Sequence, residues 1–200
     1  APSILSSINL SASERLVVFI GTVRHDRGVF RLLEALSLVD NWRLAFVGPS
    51  KPKIEYEIQN RAIELNVSDR IHLMGAVHFD QVIHAVGCAD ASVLLNENSS
   101  MNFDCALPNK LFESVLAGVP VVVGDLSASR QFVMDLNVGY VVDQQDPGSI
   151  AAALERINAD PGAMRLSRKR LAALRAEFGW QAQAEKLLGV YNDLRSRCRP

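Results

Sequence analysis

Six short runs of β-branched and apolar residues, each separated from the next by an amphipathic stretch, constrain this chain more than any other property. The runs are Leu16–Ile20, Arg43–Val47, Ile71–Leu73, Ala91–Leu95, Pro120–Val123 and Gly139–Val142. Between them, Gly28–Leu38, Ile54–Leu65, Phe79–Val86, Asn109–Ala117 and Ala128–Asp135 carry apolar residues at helical spacing. Strands that are apolar on both faces must be covered on both faces, and the βαβα alternation supplies the helices that do it. The pattern predicts an α/β fold: a parallel sheet of about six strands with helices on both faces. From Gly148 onward the pattern is helical throughout, with breaks at Asp160-Pro161-Gly162 and near Gly179, so extra C-terminal helices follow the sheet.

Two hundred residues at 48% hydrophobic content suffice for one large domain or two small ones. The opening "APSILSSINLSASE" is polar and Ser-rich, so residues 1–14 are expected to be a linker or boundary segment and residues 15–200 the folded domain. A net charge of −1 argues against nucleic acid or a strongly anionic membrane as the main partner. The three cysteines, Cys88, Cys105 and Cys198, make no disulfide framework and no Cys-x-x-Cys pair, which fits a reducing, cytoplasmic compartment. No apolar run approaches the roughly 20 residues that span a bilayer, and the N-terminus has no signal-peptide layout.

Chemistry concentrates in "CALPNKLFESVLAGVPVVVGD", residues 105–125. Pro108 suits the first helical position, where its missing N–H has no intrahelical partner. The free N–H groups that follow, Asn109 among them, form an anion site with the helix dipole. Lys110 opposes that dipole unless an anion is present, and Glu113 one turn on can accept two hydrogen bonds from a diol. The competing assignment puts Lys110 and Glu113 on a solvated face. The polar stretch "NENSSMNFD", residues 96–104, is expected to be a loop after a strand, where open α/β sheets bind ligands.

"GTVRHDRG", residues 21–28, follows the first strand. Gly21 permits close backbone approach to a ligand, Gly28 opens a helix, and Arg24 and Arg27 can clamp phosphate oxygens. It matches neither Gly-x-Gly-x-x-Gly nor a P-loop, and taken alone it is equally a surface turn. "FVGPS" and "HLMGAV" are strands ending in glycine, which either read a planar base through backbone groups or simply turn. His25, His72, His78 and His84 show no metal-ligand spacing. Asp125 follows a strand end and can line a site. "RLSRKRLAALR", residues 165–175, is a solvated basic helix face or a contact for anionic lipid.

Together "GTVRHDRG", "FVG", "HLMGAV", "CADASVLL", "LPNKLFESVLAGVPVVVGD", "VGYVV" and "FGWQAQAEKLLGVY" resemble the C-terminal half of family 4 glycosyltransferases, over about residues 15 to 194. The part "LPNKLFE…AGVPVV" is similar to the variant in bacterial capsule, O-antigen and exopolysaccharide transferases. The resemblance implies a GT-B enzyme of two Rossmann-like halves, of which this chain is the nucleotide-sugar donor-binding one. It implies that Glu113 holds the ribose hydroxyls, that backbone N–H groups near Pro108 to Lys110 meet the diphosphate, and that Arg27 binds the diphosphate. Gly21 falls in the turn beneath the diphosphate and Val77 where the base is contacted.

The first glutamate of the family's Glu-x7-Glu motif falls at Cys105, so sugar contacts are expected from Asn102, Asp104 or Asp125. Thr22 stands where an arginine often follows the glycine, with Arg24 as its substitute. The resemblance further implies retention at the anomeric carbon, no metal and no other cofactor. The implied partners are a nucleotide-diphosphate sugar, an N-terminal GT-B domain and a glycan or lipid-linked acceptor in cell-envelope polysaccharide synthesis. The implied location is the cytoplasm or the inner face of the plasma membrane. A single half is expected to transfer little sugar by itself. A sugar-nucleotide 2-epimerase-like enzyme and a degenerate nucleotide-sugar binding module remain the alternatives.

Overall fold

All six apolar runs become strands of one sheet in the computed structural model, which describes residues 4–97 and 100–197. In chain order the elements are β1 (Arg15–Ile20), α1 (Val29–Leu36), β2 (Trp42–Val47), α2 (Pro52–Glu64), β3 (Ile71–Gly75), α3 (Val82–Gly87), β4 (Ala91–Leu94), α4 (Met101–Cys105), α5 (Asn109–Ala117), β5 (Val121–Gly124), α6 (Ser127–Leu136), β6 (Gly139–Val142) and α7 (Pro147–Ala159). These belong to one compact unit, which ends at Arg165. A second unit begins at Leu166 and contains α8 (Arg168–Phe178) packed on α9 (Trp180–Arg197). Cys198 lies outside the described residues.

Every strand pair is parallel, in the order β3-β2-β1-β4-β5-β6. The order reverses between β1 and β4. At such a switch point the loops leaving the two carboxyl ends turn away from each other and open a crevice.

Strand alternation divides the core between the two faces of the sheet. Val17 and Phe19 join Leu32, Leu36, Ile150 and Leu154 from α1 and α7 in one buried cluster. Leu16, Val18 and Ile20 join Val82, Val86 and Val119 in another. Leu5 and Ile8 are buried in that second cluster, so the Ser-rich opening stretch is tied to the sheet through its few apolar residues.

Two local expectations are corrected. Residues 96–104 are not loop throughout, because Ser100 accepts a hydrogen bond from the Phe103 N–H and starts α4. Five polar-rich residues carry too little periodicity to announce such a helix. Pro108 is the N-cap of α5 and not its first helical residue, with ψ at 143° in the extended region. Its carbonyl accepts from the Leu111 N–H at 2.9 Å, so Asn109 opens the helix.

Candidate functional site

The crevice at the ends of β1, β2 and β3 is built around glycine backbone, packed most closely where Gly48 meets Gly21. Gly21 donates its N–H to Val47 at 2.9 Å, and Gly48 donates to Gly75 at 2.7 Å. A Cβ on Gly48 would fall 1.9 Å from the Gly21 carbonyl oxygen, a distance no backbone shift short of opening the turn relieves. Gly28 makes a similar approach from the other side. A Cβ there would meet the Leu95 Cβ at 2.6 Å, so the turn His25–Arg27 is held against the end of β4. The Glu97 N–H donates to Asp26 at 3.1 Å and pins the loop after β4 to the same turn.

Two predicted residues, Arg27 and Lys110, converge on a third, Gly21. A side chain on Gly21 would meet Arg27 Nη1 at 3.2 Å and Lys110 Cγ at 4.0 Å. Arg27 therefore reaches back from the turn, and Lys110 crosses from α5, to the same point above β1. A cavity of about 190 Å³ opens there, lined by Gly21, Thr22, Gly48, Val77, Val82 and Lys110. Most of its lining is apolar or glycine backbone, and Lys110 brings a positive charge to it.

Lys110 sits in the first turn of α5, where a positive charge opposes the helix dipole. Its Nζ donates to Glu113 Oε1 at 3.3 Å and comes within 3.0 Å of Oε2. Oε2 is enclosed, and the Lys110 ammonium is its ionic partner. Arg27 Nε is enclosed without a partner. Buried polar atoms ordinarily find partners, and an enclosed guanidinium N–H without one is a group that a polar ligand can satisfy.

Two serines that sequence reasoning missed fix this turn to the sheet. Ser92 in β4 and Ser114 in α5 are both buried, with their Oγ atoms 2.7 Å apart. Ser114 donates its single hydroxyl proton to the Lys110 carbonyl at 2.8 Å, so Ser92 must be the donor in the serine pair. The only signal was one polar residue in an otherwise apolar strand.

The remaining predicted residues are placed elsewhere or otherwise engaged. Asn109 is exposed at the open end of α5, where Pro108 supplies no side-chain cap. Arg24 does not join Arg27. It makes a two-pronged pair with Asp26 at 2.6 and 3.0 Å and faces a separate open depression of about 760 Å³ beside Lys51 and Lys53. Asp125 binds Arg130 through both carboxylate oxygens, and its N–H donates to the buried Gln144 side chain at 2.8 Å. That pairing holds Arg130 more firmly protonated than usual.

Asp104 accepts from the Ser127 N–H and hydroxyl, both at 2.8 Å, and caps α6 from across the loop. The Ser127 N–H first, and then its hydroxyl, hold the Asp104 carboxyl below its ordinary range. Cys105, at the end of α4, is a free and exposed thiol, and Asn102 is exposed. Of the three carboxyl or amide groups expected to replace a glutamate at position 105, only Asn102 has no partner of this kind. Among the described residues, no group of three His, Cys, Asp or Glu side chains is placed to hold a metal ion. No described helix is long and apolar enough to cross a membrane.

A six-stranded parallel sheet whose order reverses between β1 and β4, with helices on both faces, defines a Rossmann-like domain. Residues 3–175 match the family described as glycosyl transferases group 1, and the chain belongs to that family. It is 29% identical over 188 residues to a D-inositol 3-phosphate glycosyltransferase of Xylanimonas cellulosilytica, covering 92% of this chain and 43% of the relative. Another relative of that name, from Thermomonospora curvata, is 30% identical across 67% of this chain and 30% of its own length. The chain thus spans less than half of the relatives it matches.

Among solved structures, the sucrose-phosphate synthase of Thermosynechococcus elongatus superposes with a TM-score of 0.78 at 24% identity, over 97% of this chain and 49% of the other. Anabaena HepE in complex with UDP and glucose gives 0.72 at 16% identity, over 89% of this chain and 49% of the other. The fold is that of GT-B glycosyltransferases.

Proposed function

We propose that this chain is the donor-binding half of a retaining glycosyltransferase, and that its crevice holds a nucleotide-diphosphate sugar. The convergence of Arg27 and Lys110 on Gly21, with Glu113 beside Lys110, carries the proposal. In the bound complex, Arg27, Lys110 and the N–H groups at the start of α5 face the diphosphate, and Glu113 accepts from the ribose hydroxyls. The cavity walled by Val77 takes the base side. When the bond from the anomeric carbon to the diphosphate oxygen breaks, negative charge grows on the leaving group. Two cations fixed beside helix N–H groups stabilise that charge without reorganising, and no metal is required. HepE, which shares this fold, has been captured with UDP and with UDP-glucose, which supports a nucleotide-sugar donor here.

The second half of the enzyme completes the cleft and supplies most contacts to a glycan or lipid-linked acceptor of the cell envelope, at the cytoplasmic side of the membrane. One arrangement favours a second reading, a binding module that no longer transfers sugar. Cys105 stands at the sugar-facing position while Asp104 and Asp125 are engaged by Ser127 and Arg130. Titration of the folded chain with UDP and GDP, followed by NMR, tests the donor proposal. Shifts at Arg27, Lys110 and Glu113 are expected, and none at millimolar nucleotide would end it. Sugar transfer by the chain joined to its other half then separates the enzyme from the binding module.

A further inference from the structure

The ion pair between Lys110 and Glu113 joins two groups assigned to different parts of the ligand. Lys110 Nζ lies 3.0 Å from one Glu113 oxygen and 3.3 Å from the other, and the two side chains are 31% and 26% exposed. We infer that Glu113 masks Lys110 and thereby makes the crevice selective for nucleoside diphosphates over free inorganic diphosphate. This rests on the donor reading above and deepens it.

The chemistry follows from what each ligand leaves behind. A free diphosphate that takes Lys110 strips Glu113 of its cation. It leaves a half-buried carboxylate, one of whose oxygens is enclosed and has Lys110 as its ionic partner, beside a new anion. Removing one partner of such a pair costs more than the pair contributes. A nucleoside diphosphate replaces both partners at once: its phosphate oxygens accept from Lys110 while its ribose hydroxyls donate to Glu113. The ribose thus releases the cation that the phosphate uses. Rejection of the wrong ligand by an unpaired charge is a specificity device in its own right, and the coupling between the two subsites is reciprocal.

Glu113→Gln keeps the size of the side chain and removes the charge that holds Lys110. Isothermal titration of the 200-residue chain with UDP and with inorganic pyrophosphate reads both subsites, with circular dichroism and the unfolding midpoint as the check on folding. The expected result is opposite signs: pyrophosphate binds about fivefold tighter to the variant, and UDP about tenfold weaker. Removing a negative charge raises anion affinity in a general way too, so the same change is made in a Lys110→Met background. There the gain in pyrophosphate affinity is expected to shrink to that general part, because the masked cation is gone. A gain of the same size without Lys110, or pyrophosphate affinity unchanged by Glu113→Gln while UDP weakens, overturns the masking and leaves the nucleotide site standing. A folded wild-type chain that binds neither UDP nor pyrophosphate overturns the donor reading and the masking with it.

Discussion

The Ser114 hydroxyl lies 2.7 Å from that of Ser92, and this buried contact ties the first turn of α5, which carries Lys110, to the middle of the sheet. Ser92 donates to Ser114 and Ser114 to the Lys110 carbonyl, so each serine depends on the other to satisfy a group that water does not reach. Ser114→Ala and Ser92→Ala are each expected to lower unfolding free energy by about 1–2 kcal/mol, since a lone buried hydroxyl loses its partner. The double replacement should cost no more than the worse single change, because it leaves no orphan in the pair. Chemical denaturation of the three variants decides this, and additive losses would show that the hydroxyls act independently.

The stacked glycine turns give a second, steric test. Alanine at position 48 would place a methyl 1.9 Å from the Gly21 carbonyl, where the obstacle is backbone. The expected loss is about 3 kcal/mol or more, at or above the usual range for overpacking. Gly75 also has a positive φ, 70°, but a Cβ there meets nothing within 4 Å. Gly75→Ala should cost only the left-handed conformation, about 1 kcal/mol. Similar thermal shifts for the two variants would contradict the close packing of the turns.

Asp104 links stability to pH. Its carboxyl is held below the ordinary 3.8 by the Ser127 N–H and hydroxyl. A depressed carboxyl stabilises the fold fully above its unfolded value, and the contribution fades as pH falls through the folded value. Unfolding midpoints measured down through pH ~4 should therefore drop more steeply in the wild type than in Asp104→Asn. Parallel curves would mean that the α4–α6 link carries no pH-dependent stability.

His72 acts in a different window. Burial first, and Arg43 second, hold it below its ordinary 6.5, while Glu14 opposes them. A histidine kept neutral by the fold favours the unfolded chain as it charges. Stability should decline as pH falls from about 6.5 toward the lower folded value and then level off. His72→Gln should flatten that decline, and NMR titration of the His72 ring in the folded protein should give a midpoint below that of the unfolded chain. A midpoint at or above the unfolded value would sink this account.

Most of the sheet was legible because fully apolar runs such as Leu16–Ile20 and Val121–Val123 have few other places to go. The grouping of the candidate site residues was legible where it is local: Gly21, Arg27, Lys110 and Glu113 all lie next to strand ends or in one helical turn. Whatever depends on distant partners was not. Nothing in "GTVRHDRG" shows that Arg24 turns to Asp26 while Arg27 turns to Gly21, since both arginines share one turn. Ser92 and Ser114 belong to separate elements, and their pairing exists only once α5 packs on β4. Leu5 and Ile8 were hidden by the serines around them, because two buried side chains leave too little periodicity to register.

Arg27 supplies the most direct check on the ligand. Its Nε is enclosed without a hydrogen bond, and it has no carboxylate partner among the described residues, so its head group contributes little to the stability of the fold. Arg27→Met keeps the stem that packs beside the turn and removes the charge. The unfolding midpoint is expected to stay within the small range of a surface change, about 0.5 kcal/mol. UDP affinity is expected to fall about tenfold or more, the cost of charge-assisted bonds to phosphate. The wild-type affinity should also weaken as salt is raised, because the contact is ionic, and the variant should lose part of that dependence. Unchanged UDP affinity with an unchanged salt slope would remove Arg27 from the diphosphate contact and leave Lys110 as the cation that carries it.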